Sequence, residues 1–585
     1  MYIERINSSY DLKKLNIEEL KILAQEMRQL LIKKTSLTGG HLASNLCIVE
    51  ISIGLHYIFD TPTDKIVFDV SHQTYCHKML TGRNYAFIDV EKFDSISGYT
   101  NPNESEYDLF NIGHTSTSIS LALGIAKARD LKGGHEDVIA VIGDASLDGG
   151  QAFEALNYAV EQKSGLIVVV NDNNMSIPEN HGALNMRLNE LRSNHGQIEN
   201  NFFKSLGFDY EFVQNGNDLV EVISALRKIR KTTKPVVVHM CTQKGKGYEY
   251  AENDSEKFHW ARPFNIATGE FLSNVPTENY GAICRDFLLE KMKNDKEVIV
   301  IAASTPLCIG FSRKYREIAG EQFVDVGIAE QNAVSYATGI AKNGGKPIFA
   351  TNSTFFQRVY DQIEQEMCIG KIPVTMIVTH GSVLGHTNDT HAGLFDIALL
   401  SHIPYLVYLA PTNKEEYIAM LNWSIDQKEC PVAIRVPWLG VRHASHKVDN
   451  EYSETKYLIT QHGTKVAFLA LGGFYHLGLE AAHLYEMKTG IKPTLINPRY
   501  ITGIDKVTLS NLIKEHNLIV TIEDGIISGG FGSKITQYYS LTNTRVINFG
   551  FQMETPNCYN GKEYMEINHL TPEHIVEDII KNEIH

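Results

Sequence analysis

Short runs made almost entirely of Val, Ile and Leu recur along this chain, and longer stretches with helical spacing separate them. Strands that are apolar along their whole length are buried on both faces, as in parallel sheets covered by helices. The stretches between the runs are long enough for helical crossover connections. The sequence therefore predicts an α/β protein with mainly parallel sheets. The predicted strands are 138–143, 166–170, 235–240, 298–303, 373–378, 405–410, 466–471 and 518–522.

Two segments look like joints between domains. The turn-like stretch 274–278 precedes a new predicted helix, and 446–456 is rich in charge. The length of 585 residues agrees with several domains, since one domain typically takes about 100–200 residues. We therefore predict three consecutive α/β domains, with boundaries at 1–275, 276–453 and 454–585.

The amino-acid composition limits the binding partners that this protein can have and indicates its cellular compartment. Lys and Arg total 54 against 69 Asp and Glu, a formal charge of −15, so the surface has no general attraction for nucleic acid or anionic lipid. A local basic pocket for a small anion is still compatible with this charge. The eight cysteines form no Cys-x-x-Cys pair, which disfavours a zinc cluster or a disulfide framework. With no apolar run of about 18 residues, we expect a cytoplasmic protein.

Polar residues follow two of the predicted strands. Gly143 and Asp144 end one strand, and Asn173 follows the next, 29 residues after Asp144. Carboxylate and amide oxygens are the ligands that Mg²⁺ prefers, usually together with phosphate oxygens and water. A simple alternative is that Asp144 caps the next helix. The spacing and context favour a magnesium site with a diphosphate ligand.

This arrangement resembles the thiamin diphosphate motif, and the surrounding segments resemble the 1-deoxy-D-xylulose-5-phosphate synthase family of the transketolase superfamily. The resemblance covers essentially the whole chain. It implies a transketolase-like homodimer in which 1–275 binds the cofactor's diphosphate and Mg²⁺, 276–453 holds its aminopyrimidine ring, and 454–585 is the C-terminal transketolase-type domain. The most specific segments are 39–46, 69–73, 77–83, 105–108, 113–118, 328–331 and 353–362.

The resemblance assigns the metal and diphosphate residues position by position. Asp144, Asn173 and the backbone carbonyl of Met175 are the implied Mg²⁺ ligands, and Gly143 allows the backbone to approach the diphosphate. Ala145, also at the cofactor, replaces the motif's second glycine. If the backbone needs a positive φ there, Ala145 would strain it by roughly 1 kcal/mol.

Other cofactor contacts are implied by the same resemblance. His72 and His114 are expected to position thiamin diphosphate, Lys244 corresponds to the family's cofactor-side lysine, and Phe355 is expected to stack on the aminopyrimidine ring. Each of these residues, judged alone, has an ordinary structural interpretation as a core ring, a satisfied histidine or a surface lysine.

The implied catalytic groups are one carboxylate and three histidines. Glu330 is expected to bond the aminopyrimidine nitrogen and so favour the tautomer that deprotonates the cofactor. His41, His259 and His391 are expected to transfer protons, as imidazole can near neutral pH.

The acceptor side departs from the family pattern. Arg358, His380 and Arg435 are the expected substrate-binding residues, because a phosphorylated aldehyde needs cationic partners. His380 and Trp438 stand where the family has arginines, and Thr387 replaces an aspartate. The departures are Asn332, Asn352, His380, Thr387 and Trp438.

The implied reaction joins pyruvate, with loss of CO₂, to D-glyceraldehyde 3-phosphate, and its product, 1-deoxy-D-xylulose 5-phosphate, feeds isoprenoid, thiamin and pyridoxal phosphate synthesis. Three alternatives stay open. One is a related carboligase or transketolase with another aldehyde acceptor or a ketose donor. Another is a catalytically silent paralogue that serves as a binding subunit. The last is a pyruvate dehydrogenase-type component that passes its acyl group to a lipoyl partner.

Overall fold

The computed structural model describes residues 1–273, 276, 278–383, 389–437, 440–445, 447–554 and 560–582, and the backbone of 386, 387, 559 and 583. The chain forms two compact units. The first comprises Met1–Val275 with Gly327–Ala329, and the second comprises Pro276–Val326 with Glu330–His585. Among the described residues, no helix has the length and apolar character needed to cross a membrane.

The first unit is built on one parallel sheet of five strands in the order β1-β2-β3-β5-β4. Its strands are β1 (Lys65–Phe68), β2 (Val138–Gly143), β3 (Ile167–Asp172), β4 (Asp209–Val213) and β5 (Val236–Cys241). Its helices are α1 (Ser9–Leu12), α2 (Ile17–Thr38), α3 (Ala43–Cys47), α4 (Val49–Ile58), α5 (Tyr75–Lys78), α6 (Tyr85–Ile88), α7 (Ser118–Leu131), α8 (Gly150–Gln162), α9 (Ala183–Ser193), α10 (Phe202–Leu206), α11 (Leu219–Ile229) and α12 (Glu249–Asn253).

Alternate residues of the central strands enter different cores. Ile139 and Val141 of β2 pack in one cluster with α2 and α4, whereas Ala140 and Ile142 pack in another with α7 and α8. A strand that is buried on both faces has to be apolar throughout. This explains why β2 and β3 show no polar alternation until they reach their carboxyl ends.

The second unit contains two further sheets. The six-stranded sheet, in the order β11-β12-β9-β8-β6-β7, is parallel throughout, and the five-stranded sheet, in the order β13-β15-β14-β16-β17, is parallel except for β13. Strands β10 and β18 form a small antiparallel pair. The prediction of an α/β fold with mainly parallel sheets is confirmed, and all eight predicted strands are present.

The strands of this unit are β6 (Val298–Ala302), β7 (Phe323–Asp325), β8 (Lys346–Asn352), β9 (Thr375–Thr379), β10 (His386–Thr387), β11 (Val407–Leu409), β12 (Val432–Arg435), β13 (Leu458–Gln461), β14 (Lys465–Ala470), β15 (Thr494–Asn497), β16 (His516–Ile526), β17 (Arg545–Phe551) and β18 (Tyr559–Asn560). Its helices are α13 (Tyr280–Asn294), α14 (Arg313–Ala319), α15 (Glu330–Lys342), α16 (Asp396–Leu400), α17 (Lys414–Asp426), α18 (Tyr475–Thr489), α19 (Lys506–Leu512), α20 (Phe531–Tyr539), α21 (Gly561–Ile567) and α22 (Pro572–Glu583).

One apolar cluster joins the two sheets of the second unit. It contains Ile301 and Phe349 from the six-stranded sheet and Leu469 and Ile519 from the five-stranded sheet. This shared core explains why the two blocks form one compact unit. The boundaries at 276–453 and 454–585 stay predictions, and residues 274, 275, 277 and 446 of the predicted joints lie outside the described residues.

Candidate active site

The carboxyl ends of β2 and β3 bring Asp144 and the segment after Asn171 together. Gly143 pairs with Asn171 in the sheet, and the Asp144 N–H donates to the Asn171 carbonyl oxygen at 3.3 Å. The Asp144 side chain is buried, and Asn180 Nδ2 donates to its Oδ2 at 2.7 Å. Burial, together with the nearby Asp172 carboxylate, raises the pKa of Asp144 well above its usual value. A cation bound here would reverse that effect, since it favours the ionised carboxylate.

Asn173 and Met175 lie in a tight turn directly after β3. The Met175 N–H donates to Asn173 Oδ1 at 3.2 Å, and Asn173 Nδ2 contacts Cys47 Sγ at 3.6 Å. Asn174 between them has a φ of 62°, a left-handed conformation that Asn tolerates. The turn therefore holds the two predicted ligand residues beside the β2 end.

The space beside Gly143 is open, since a Cβ built there would meet no atom within 4 Å. This opening and the oxygen donors of Asp144 and Asn173 fit a diphosphate with a bound Mg²⁺.

Ala145 causes no backbone strain. It is the first residue of a 3₁₀ turn, Ala145–Asp148, and it is not among the residues with positive φ. Ala145 would weaken cofactor binding only if it had a positive φ, and it has none in this structure.

We predict that Ala145→Gly leaves the affinity for thiamin diphosphate within about twofold, because the backbone gains no conformation it needs there. Calorimetric titration of both proteins would measure this. A gain of about tenfold or more would mean that the bound state requires a positive φ at this residue.

Three imidazole rings meet in the first unit. The ring centroid of His41 lies 5.0 Å from His72 and 5.7 Å from His259, and His72 and His259 are 5.4 Å apart. Burial lowers the pKa of His41 and His259 well below the usual value. Both rings are therefore neutral near pH 7, and the buried His259 Nδ1 has no hydrogen-bond partner among the described residues.

Asn45 fixes the segments that carry two of these histidines. Its Nδ2 donates to the carbonyl oxygens of His41 at 2.7 Å and His72 at 2.8 Å, while its Oδ1 accepts from the Tyr75 N–H at 2.9 Å. The sequence analysis assigned Asn45 no role. Its only signal was its place inside the segment 39–46.

Asp69 anchors the loop that follows His114. Its carboxylate accepts from the N–H groups of Ser116 at 2.7 Å and Ser118 at 2.9 Å. Val70 and Ser71, which precede His72, have φ values of 58° and 61°. Such backbone strain in non-glycine residues is concentrated at functional sites.

Lys244 lies within the same unit, with its side chain buried. Its Nζ donates to the Ser176 carbonyl oxygen, and burial lowers its pKa to about 8. Asp144 contributes favourably to the charged form of this lysine. Lys244 therefore lies next to the turn that carries the predicted metal ligands Asn173 and Met175.

Glu330 begins α15 in the second unit, and its side chain is only 5% exposed. Burial raises the pKa of its carboxyl above the usual value, and Arg358 partly opposes this shift. Arg358 Nη1 lies 3.6 Å from Glu330 Oε2. The predicted substrate-binding arginine is thus also the ion partner of the predicted catalytic carboxylate.

Phe355 and His391 lie next to each other in the same unit. Phe355 belongs to the 3₁₀ segment Ser353–Val359 after β8, and its ring centroid lies 5.9 Å from that of His391 in an edge-on contact. Thr390 Oγ1 lies 2.9 Å from His391 Nδ1. The Phe355 ring is partly exposed.

His380 and Arg435, two of the three predicted substrate-binding residues, are both buried or half-buried in the second unit. Burial lowers the pKa of His380 to about 4, so its imidazole is neutral at pH 7. Arg435 is only 4% exposed, and it forms ion pairs with Asp396 and Asp524. The Thr387 side chain and Trp438 lie outside the described residues.

Comparison with known proteins supports the same assignment along the chain. The profile described as 1-deoxy-D-xylulose-5-phosphate synthase matches residues 3–199 and 192–242. The transketolase pyrimidine binding domain matches 278–442, and the transketolase C-terminal domain matches 455–575.

A 1-deoxy-D-xylulose-5-phosphate synthase from Caldanaerobacter subterraneus subsp. tengcongensis is 40% identical over 573 residues, which are 92% of this chain and 91% of that protein. The chain belongs to the 1-deoxy-D-xylulose-5-phosphate synthase family. The synthase of Clostridium kluyveri is 39% identical over 584 residues, with 93% and 92% of the two chains covered. A solved transketolase from Campylobacter jejuni is 18% identical with a TM-score of 0.43, over 97% of this chain and all of that one.

Membership in this family confirms the resemblance that the sequence motifs indicate. It makes the chain an enzyme of the transketolase class, a group of transferases that use thiamin diphosphate.

Proposed function

We propose that this protein condenses pyruvate with D-glyceraldehyde 3-phosphate, with release of CO₂, to give 1-deoxy-D-xylulose 5-phosphate. The observation that supports the proposal is the pair of side-chain oxygen donors, those of Asp144 and Asn173, beside the open space at Gly143. It occurs in a chain about two-fifths identical to named synthases over nine-tenths of its length.

We infer that Mg²⁺ and thiamin diphosphate bind at this edge of the sheet. Asp144, Asn173 and the Met175 carbonyl oxygen would hold the metal ion, and Lys244 would face the diphosphate. His72 and His114 would position the cofactor. When bound, thiamin diphosphate supplies a nucleophilic carbon and accepts the electron pair left by decarboxylation.

Glu330 is proposed to be protonated and to donate a hydrogen bond from its carboxyl group to the aminopyrimidine nitrogen. A buried carboxyl with a raised pKa keeps its proton more readily, which suits a hydrogen bond shared with a heterocyclic nitrogen. Phe355 would stack on the aminopyrimidine ring. Arg358 limits the rise in the Glu330 pKa, so the carboxyl can still release the proton.

His41 and His259 are proposed to move protons at the substrate oxygens. Neutral imidazoles can both donate and accept, and the buried Nδ1 of His259 lacks a partner within the described structure. His391 is proposed to transfer a proton to the acceptor, with Thr390 bonded to its Nδ1.

The acceptor phosphate would be bound by Arg358, with His380 as a neutral hydrogen-bond donor. The ion pairs of Arg435 with Asp396 and Asp524 favour a structural role for that arginine. Homodimer assembly and a cytoplasmic location are further proposals that rest on the sequence.

Product analysis by NMR tests the proposed function. The purified protein with thiamin diphosphate, Mg²⁺ and ¹³C-labelled pyruvate should form labelled 1-deoxy-D-xylulose 5-phosphate from D-glyceraldehyde 3-phosphate. Unphosphorylated D-glyceraldehyde should react at least about tenfold less efficiently, because charged hydrogen bonds to phosphate are lost. Equal efficiency with both aldehydes would indicate a carboligase with a different acceptor, and no pyruvate turnover would contradict the proposal.

Asp144→Asn should reduce the apparent affinity for Mg²⁺ by at least about 100-fold. Loss of a residue that only hydrogen-bonds to a metal ligand typically lowers metal affinity by about 10- to 100-fold, and loss of a direct ligand should cost more. Activity titrated against Mg²⁺ would measure the shift. Asp209→Asn, an exposed aspartate at the start of β4, is the matched control. An unchanged Mg²⁺ requirement in Asp144→Asn would remove this residue from the metal site.

A further inference from the structure

A cavity of about 260 Å³ lies in the second unit, and none of the described residues that line it belongs to the proposed active site. Leu477, Met565 and Leu570 form an apolar part of its wall, and Arg442 and Glu480 add opposite charges. The volume is slightly below the range of about 300–1,000 Å³ that is usual for drug-sized ligands. The cavity therefore fits a small metabolite with an apolar body.

His476 and Glu480 form one polar side of this cavity. They are four residues apart on α18 and so lie on the same face of the helix. His476 Nε2 is buried and has no hydrogen-bond partner among the residues that the structure describes.

A neutral imidazole has one donor and one acceptor nitrogen, and the tautomer protonated on Nδ1 leaves Nε2 as the acceptor. In that tautomer, Nε2 and the Glu480 carboxylate, on the same face of the helix, suit an ammonium group.

Arg442 supplies the opposite charge. Its side chain is exposed, and the guanidinium forms no hydrogen bond or ion pair with any residue that the structure describes, Glu480 included. Two opposite charges thus line one cavity without neutralising each other. A guanidinium binds carboxylates through two parallel hydrogen bonds.

We propose that this cavity binds a free α-amino acid with an apolar side chain. The ammonium group donates to His476 Nε2 and Glu480, the carboxylate accepts from Arg442, and the side chain packs on Leu477, Met565 and Leu570. This site is independent of the proposed catalytic reaction.

Calorimetric titration of the full-length protein with thiamin diphosphate and Mg²⁺ tests the proposal with three probes. L-Leucine carries both charged groups, 4-methylpentanoate lacks the ammonium group, and 3-methylbutylamine lacks the carboxylate. Leucine should bind, and each truncated probe should bind at least about tenfold more weakly. Absence of leucine binding at about 10 mM would overturn the proposal. So would equal binding of leucine and 4-methylpentanoate, since it would indicate a simple anion site.

Two charge-neutral variants separate the subsites. Arg442→Gln should weaken leucine and 4-methylpentanoate but not 3-methylbutylamine, whereas Glu480→Gln should weaken leucine and 3-methylbutylamine but not 4-methylpentanoate. Glu486→Gln, on the same helix but outside the cavity wall, should bind all three probes like the parent. Basal turnover should be unchanged in all variants, which shows that they are folded. Unaltered leucine binding in both cavity variants would refute the site.

Discussion

Glu330→Gln is expected to lower kcat by at least about 10³-fold while the protein stays folded, since a positioned acid–base group contributes about 10²- to 10⁴-fold. The amide has nearly the same shape as the carboxyl, but it cannot share an acidic proton with the aminopyrimidine nitrogen. Its neutral side chain also leaves Arg358 without the ion partner that lies 3.6 Å away. Steady-state turnover with saturating thiamin diphosphate and Mg²⁺ measures the loss.

Two further measurements separate a catalytic effect from a structural one. The far-ultraviolet circular dichroism spectrum and the affinity for thiamin diphosphate should change little, because the buried Glu330 site accepts an isosteric amide. Glu321→Gln, an exposed change nearby in the chain, should turn over like the parent. Activity retained within about tenfold in Glu330→Gln would exclude Glu330 as the activating acid.

Some strands could be predicted from the sequence because their burial leaves little choice of residue. β2 and β3 enter cores on both faces, so their sequences are apolar throughout. Other strands lack this signal. β4 lies at a sheet edge and is mostly half-buried, and β13 is half-buried along its whole length. Because burial constrains the residues of β4 and β13 less strongly, these strands lack the apolar pattern that identifies an inner strand.

The same contrast applies to the active site. Local motifs predict Asp144, Asn173 and Glu330 as site residues, and each of them lies at or just after the end of a strand or at the start of a helix. Motifs could not reveal that Asn45 joins the His41 and His72 segments, since that contact spans 27 residues between Asn45 and His72. A hydrogen bond of this kind leaves no periodic signal in the sequence.

Arg435 shows this difference most clearly. The sequence predicts a substrate-binding cation at this position, and the structure places its ion partners 39 and 89 residues away in the chain. Its Nε donates to Asp396 Oδ2 at 2.7 Å, and Nη1 donates to Asp524 Oδ1. Nη2 donates to the carbonyl oxygen of Gly393 at 3.2 Å. This buried guanidinium therefore joins the start of α16, and the residues just before it, to β16.

Arg435→Met is accordingly expected to destabilise the second unit by about 3–5 kcal/mol, because it leaves two buried carboxylates without their common partner. The triple variant with Asp396→Asn and Asp524→Asn should recover a large part of this loss, since it removes the buried charges as well. Arg313→Met, a matched change at an exposed arginine, should have little effect. Denaturant unfolding monitored by circular dichroism would compare the four proteins. Arg435→Met could instead keep its stability and raise the KM for D-glyceraldehyde 3-phosphate. That result would mean that the guanidinium binds the acceptor phosphate, and the structural role argued for Arg435 would be refuted.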